Sequence, residues 1–109
     1  MSVGSPLPPG EALMLETLIT PTTQGIASRI VGKAAGGNMT LFAFDEGQGL
    51  TEHSSPFDAF VLVLAGALTV TIGGAAVTAT PGTIVRMPAD VPHAIDASEP
   101  SRMLLVMLK

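Results

Sequence analysis

The chain has 109 residues, nine acidic against five basic side chains, a formal net charge of −4 and no cysteine. That length suits one domain able to bury roughly 60–70% of its unfolded surface. The missing cysteine excludes disulfides, thiolate nucleophiles and zinc–thiolate sites. The five cations (Arg29, Lys33, Arg86, Arg102 and Lys109) are scattered, so no basic patch for phosphate exists and no nucleic-acid partner is expected.

Residues 1–12 carry prolines and glycines and read as an irregular N-terminal arm, with a single β domain over 13–109. The opening MSVGSPLPPGEALM lacks the basic head and apolar run of a secretion signal, so a cytoplasmic location is expected. From Met14 onward, short β-favouring segments alternate with turn residues, as in a barrel or sandwich. Strands are predicted at Met14–Ile19, Gly25–Gly32, Met39–Asp45, Ala59–Leu64, Ala67–Ile72, Ala75–Ala79, Ile84–Met87, His93–Asp96 and Met103–Leu108. A short helix over Glu11–Leu18 is the alternative to the first of these. The clearest hairpin lies at 67–77, where Leu68, Val70 and Ile72 alternate with Thr69 and Thr71 before Gly73-Gly74.

The uncharged run from Ala59 to Val85 is long enough for a membrane helix. Five Gly and Pro residues interrupt it, its pieces are rich in Val, Ile and Thr, and flanking aromatic and basic anchors are missing. Strands and no membrane partner are the expectation. Apolar residues on both strand parities imply burial on both faces, one toward the domain interior and one against a second sheet or a partner. A homodimer is therefore expected.

The two histidines stand in distinctive settings. His53 lies in GQGLTEHSSPFDAFVLVLAG (47–66) and His93 in TPGTIVRMPADVPHA (80–94). These stretches resemble the two motifs of the cupin family. In the first, Gly47 or Gly49, His53 and Gly66 fall in place; in the second, Gly82, Pro88 and His93 do. The resemblance covers about residues 36–108. It implies an all-β, double-stranded β-helix (jelly-roll) barrel with both histidines lining one mouth.

The same resemblance implies a four-ligand metal site of three histidines and a carboxylate. Here Ser55 and Ala59 occupy the places of the second histidine and the carboxylate, which leaves His53 and His93. Two imidazoles would hold a divalent ion (Fe, Mn, Zn, Ni or Cu) only weakly, because catalytic sites normally take three protein ligands. Asp58 is a further metal-ligand candidate. Alternation along an extended strand would turn both it and Glu52 away from the face shared by 53, 55, 57 and 59. Ser55 and Arg86 are candidate contacts to a small-molecule ligand. The serine offers a hydroxyl, and the arginine either a bidentate carboxylate clamp or an outer-face salt bridge. Met87, Met103 and Met107 read as core filler rather than copper ligands.

Three readings follow. The first is a small-molecule-binding protein with a reduced site at His53 and His93. The second is a metal-dependent enzyme of dioxygenase, isomerase or decarboxylase type acting on a small organic acid. The third is a non-catalytic regulatory or structural dimer. The fold alone selects no reaction.

Overall fold

Side-chain alternation along each strand decides which faces meet, and apolar residues at every second position build two sheets around a common interior. The computed structural model describes residues 2–4 and 7–109. Its strands are β1 (Ser2–Gly4), β2 (Ile26–Ala34), β3 (Gly37–Phe44), β4 (Gly49–His53), β5 (Asp58–Ala65), β6 (Leu68–Ile72), β7 (Ala75–Ala79), β8 (Ile84–Met87), β9 (His93–Ala97) and β10 (Ser101–Leu108). One sheet has the order β1-β2-β3-β10-β5-β8 and the other β4-β9-β6-β7. From β3 onward the chain passes repeatedly from one sheet to the other, which is the jelly-roll winding the sequence implied. The uncharged run at 59–85 is thereby divided among β5, β6, β7 and β8. Among the described residues no helix is long and apolar enough to cross a membrane.

The interior between the sheets is filled by Phe44, Ala59, Val61, Val63, Leu68, Val70, Ala79, Met87, Ile95, Ala97 and Met103, all nearly inaccessible. A second core lies on the opposite face of the six-stranded sheet, where Ile19 packs on Val31, Leu41 and Ala43. Burying a side chain such as Ile19 contributes roughly 1.5–3 kcal/mol. Two guanidinium groups fasten the same segment: Arg102 Nε donates to the Ile19 carbonyl at 2.8 Å and Arg29 Nη1 to that of Leu18 at 3.3 Å. Strands β3 and β10 are thus covered on both sides at Leu41, Ala43 and Leu104, which explains the apolar residues on both parities there.

Three elements differ from expectation. Met14–Ile19 is no strand: Leu15–Thr17 forms one 3₁₀ turn, in which the Thr17 amide and hydroxyl both donate to the Met14 carbonyl, at 3.0 and 2.8 Å. Strand β4 was not predicted because only Leu50 of its five residues packs against the interior, so no alternation is written in it. Within the arm expected to be irregular, Ser2–Gly4 pairs in parallel with Ser28–Ile30 of β2.

The predicted hairpin is present, with Ile72 opposite Ala75. Gly73 and Gly74 both adopt positive φ (56° and 85°), as a two-residue turn between twisted strands requires. Gly66, between β5 and β6, carries a stricter demand. Its φ is 82°, and a Cβ there would collide with the backbone of Pro100 and Ser101 and with Ser101 Oγ. That hydroxyl is buried; it accepts from the Ala67 amide at 3.1 Å and donates to the Glu99 carbonyl at 2.8 Å. Gly66→Ala is therefore expected to cost at least about 2 kcal/mol in urea unfolding. Gly74→Ala, with open space around its Cβ, should cost only the roughly 1–2 kcal/mol of the left-handed backbone. Equal losses at the two positions would show that the contact with Ser101 is not what confines Gly66.

Candidate functional site

Strand β9 presents His93, Ile95 and Ala97 to the interior, with Ala94 and Asp96 between them. Ile95 and Ala97 join the apolar core; His93, 3% exposed, is the next inward position and marks where the core gives way to a polar group. His93 therefore sits at the mouth because it continues the inward parity of β9.

His53 reaches the same place by breaking parity. Leu50 of β4 lies opposite Ile95 of β9, and unbroken pairing would put Glu52 opposite His93. The register shifts between Leu50 and His53, so that His53 pairs with His93 instead. One additional residue in β4 thus swaps a carboxylate for an imidazole, as a β-bulge does when it re-aims a side chain. The two rings lie edge to face with centroids 4.4 Å apart and planes at 72°. His53 is exposed where His93 is buried.

Each ring uses the same local bond. His53 Nδ1–H donates to the Thr51 carbonyl at 2.7 Å, and His93 Nδ1–H to that of Val91 at 3.1 Å. A carbonyl can only accept, so these bonds fix the proton on Nδ1 and leave the Nε2 lone pair of each neutral ring for another partner. Metal-ligating histidines are oriented in this way.

Residues 40–107 match the family model described as the Cupin domain. The chain belongs to the cupin family. It is similar over its whole length to a conserved protein of unknown function from Streptococcus pyogenes, with 33% identity, a TM-score of 0.91 and 96% of that chain covered. A cupin superfamily protein from Desulfitobacterium hafniense has 25% identity and a TM-score of 0.88 over 94% of each chain. KdgF from Halomonas sp. has 27% identity and a TM-score of 0.73 over 78% of this chain and 80% of that one. No curated protein matches the chain.

The cupin motif aligns Ser55 and Ala59 with two further ligand positions, and alternation along 53–59 would put both on the face of His53. Residues 53–59 do not run as one strand. His53 ends β4 in one sheet and Asp58 begins β5 in the other, so parity is not carried across the link. Ala59 does face the interior, in register with Met87 and Met107, but offers a methyl group and no donor atom. Ser55 Oγ accepts from the Phe57 amide at 3.2 Å and shapes the link.

Asp58 is held away from the histidines. Its Oδ1 accepts from the Ala89 amide at 2.8 Å, and its Oδ2 meets Arg86 Nε and Nη2, each at 3.3 Å. Arg86, which pairs with Phe60 of β5, lies on the outer face in that salt bridge rather than at the mouth as a carboxylate clamp. Solvent screens so exposed a pair, and it adds little to stability. Among the described residues no group of three His, Cys, Asp or Glu could hold a metal ion.

Ser55 and Asp58 serve the site in a way the sequence did not reveal. The loop entering β9 is pinned by the Asp90 amide on the Ser55 carbonyl (2.7 Å) and by the Ala89 amide on Asp58. It is pinned again by the Gly73 amide on the Pro92 carbonyl (2.8 Å). Asp90 takes a positive φ of 65° in this loop. These bonds set where His93 starts its strand.

Two outcomes are expected. Nitrogen-15 NMR of the two imidazoles should show both as Nδ1–H tautomers at neutral pH. His93→Ala should destabilise the fold by roughly 2 kcal/mol as a buried, bonded group is lost, whereas His53→Ala should stay within about 0.5 kcal/mol. An Nε2–H tautomer at either ring would remove the geometry described.

The Ala89 amide, foremost, and the Arg86 guanidinium hold the Asp58 carboxyl below the usual aspartate range. A carboxyl with a lowered folded-state value stabilises above its unfolded value and ceases to do so as pH falls through the folded one. The melting temperature of Asp58→Ala should accordingly lie below that of the natural protein at pH 7. The gap should narrow on acidification below about 4. A gap that widens in acid would contradict this role.

Proposed function

We propose that this cupin binds a small molecule at the barrel mouth through His53 and His93, with any divalent ion there held weakly and exchangeably. The observation that carries this reading is the histidine pair itself. Two rings 4.4 Å apart, each with Nδ1 committed to a backbone carbonyl, leave two Nε2 acceptors at one place. A ligand bearing hydroxyl or ammonium donors satisfies them, and so does a divalent ion whose other positions are filled by ligand and water.

The family's resident metal is a poorer fit. Two imidazoles fall short of the three protein ligands of a catalytic site, and Asp58 is occupied by Ala89 and Arg86. No reaction step is assigned to a metal on these grounds. The apolar interior beneath His93 excludes water from one side of the pair, while exposed His53 gives entry from the other. A polar pair at the edge of an apolar interior suits a ligand that offers donors to the imidazoles and an apolar face to the barrel.

Titration of chelator-treated protein with Zn²⁺ or Mn²⁺ tests the reading. The natural protein should bind with a Kd on the order of 10 µM or weaker, and His53→Ala or His93→Ala should abolish the signal. Ala59→Glu, which adds an interior carboxylate, should raise affinity at least about tenfold while circular dichroism shows the barrel intact. In a thermal-shift screen of polyols, amines and small acids, a true ligand should stabilise the natural protein and not His53→Ala. Tight one-to-one metal binding by the natural chain would overturn the reduced-site reading.

A further inference from the structure

We infer that the molecule taken at the mouth is a small amphipathic α-hydroxy acid, and that Asn38, with Lys33 beside it, selects the acid group. The inference rests on the ligand site proposed at His53 and His93 and adds the opposite wall to it.

Strand register gives that wall, because partners across antiparallel strands share a face. Asn38 of β3 pairs with Met107 of β10, Met107 with Ala59 of β5, and Ala59 with Met87 of β8. Ala59 and Met87 are buried in the core between the sheets, so the whole row, Asn38 included, is on the interior face. Lys33 of β2 pairs with Asn38 and extends the row to the rim. The counterpart in the four-stranded sheet is the row of His53, His93 and Ile72. Both rows lie at one end of the barrel, because the loop that delivers His93 is bonded to Ser55 and Asp58 where β5 begins.

At this level the interior changes character on some strands and not on others. On β3 the inward side passes from Phe44 and Phe42 to Thr40 and Asn38, much as β9 passes from Ile95 to His93. On β5, β6 and β8 it ends apolar, at Ala59, Ile72 and Met87. A molecule held there meets polar groups on one side and an apolar wall on the other. Asn38 is half-buried, and among the described residues neither its amide nor the Lys33 ammonium has a hydrogen-bond or ionic partner. Their donors are left for a bound molecule.

Donors and acceptors decide the chemical class. The two Nε2 atoms accept, so they repel a carboxylate and take a hydroxyl. The Asn38 amide and the Lys33 ammonium donate, and a carboxylate accepts from both. Packed sheets stand about 10 Å apart, so with an amide and an imidazole projecting between them a span of two carbons joins the walls. An acid and a hydroxyl on neighbouring carbons satisfy both, with the remaining chain against Ala59, Ile72 and Met87. An amine finds no counter-charge. Asp58 is bound to Ala89 and Arg86, exposed Glu52 has lost the place opposite His93, and Asp90 is exposed in its loop. The other cations are engaged elsewhere: Arg29 and Arg102 hold carbonyls on the far face, Arg86 holds Asp58, and Lys109 lies over the Phe57 ring. Lys33 is the charge that remains for the acid.

Titration of the chelator-treated whole chain with leucic acid, the hydroxy analogue of leucine, followed by amide chemical shifts, tests this. Removing the charge (its primary amide), the hydroxyl (isocaproic acid) or the tail (glycolic acid) should each weaken binding at least about tenfold, the size of one charge-assisted bond or one buried apolar group. Asn38→Ala should weaken leucic acid at least about tenfold, and Asn38→Asp more, because it sets a carboxylate against a carboxylate. Lys33→Gln, at an exposed position that cannot unfold the barrel, should weaken the acid severalfold and leave its amide within about twofold. The diol made by reducing the carboxyl group keeps hydroxyls and tail, and its binding should vanish in His53→Ala. Equal affinity for the acid and its amide, an acid indifferent to both Asn38→Ala and Lys33→Gln, or no acid binding up to about 50 mM would each overturn the selection of acids. With the diol still bound through His53, the histidine site would stand. Shifts that survive His53→Ala would remove that site as well.

Discussion

A strand gives each of its faces every second residue, and two packed sheets allow only one of those faces to be filled from the interior. Everything in this barrel answers to that constraint. Ala59, Val61 and Val63 of β5, Leu68 and Val70 of β6, and Ile95 and Ala97 of β9 meet in one core because all sit on the inward parity of their strands. Core packing of this kind resists slippage, since a one-residue shift would exchange an entire apolar set for its polar neighbours. The position of His93 follows from the same rule. It is the last inward residue of β9 before the strand leaves the core, and its backbone is anchored at both ends, by the core below and by the pinned 88–92 loop above.

A local departure from regular pairing in β4 makes the site. Strand β4 has a single interior anchor, Leu50, and few apolar contacts to hold its far end in register. A bulge there costs little core packing, and it exchanges Glu52 for His53 opposite His93. The chemistry differs sharply between the two. A glutamate at that place would bring a carboxylate that only accepts, whereas a second imidazole with its own Nδ1–H bond brings a second Nε2 beside the first. The Thr51 and Val91 carbonyls, each two residues before its histidine, fix both tautomers from the strands themselves, so the pair needs no buried carboxylate to orient it.

How much of this was legible in the sequence depends on how strongly the interior imprints each segment. Hairpin 68–79 could be read outright, because both strands and the Gly73-Gly74 turn carry their own patterns. The jelly-roll winding and the meeting of His53 with His93 were legible through the paired motifs. Strand β4 was not, because four of its five residues make no core contact, and neither was the bulge, which leaves no trace in composition. The treatment of 53–59 as one extended strand failed for a related reason: the link at 54–57 changes sheets, and parity is defined only within a strand. Arg86 was ambiguous because a lone cation on an apolar strand serves a ligand or an outer salt bridge equally well by pattern. Only its partner Asp58 distinguishes them.

Asp58 ties the loop that delivers His93 to the outer face of the six-stranded sheet. One carboxylate oxygen takes the Ala89 amide from that loop; the other meets Arg86 of β8. Water and salt screen the exposed ion pair, so it adds little to the loop's rigidity, and the amide bond is the contact that holds the loop. The same carboxylate that alternation keeps off the histidine face therefore acts on the site from behind, through the backbone of the segment that carries His93 into β9. A ligand role and this positioning role exclude each other, because both oxygens are already committed to Ala89 and Arg86.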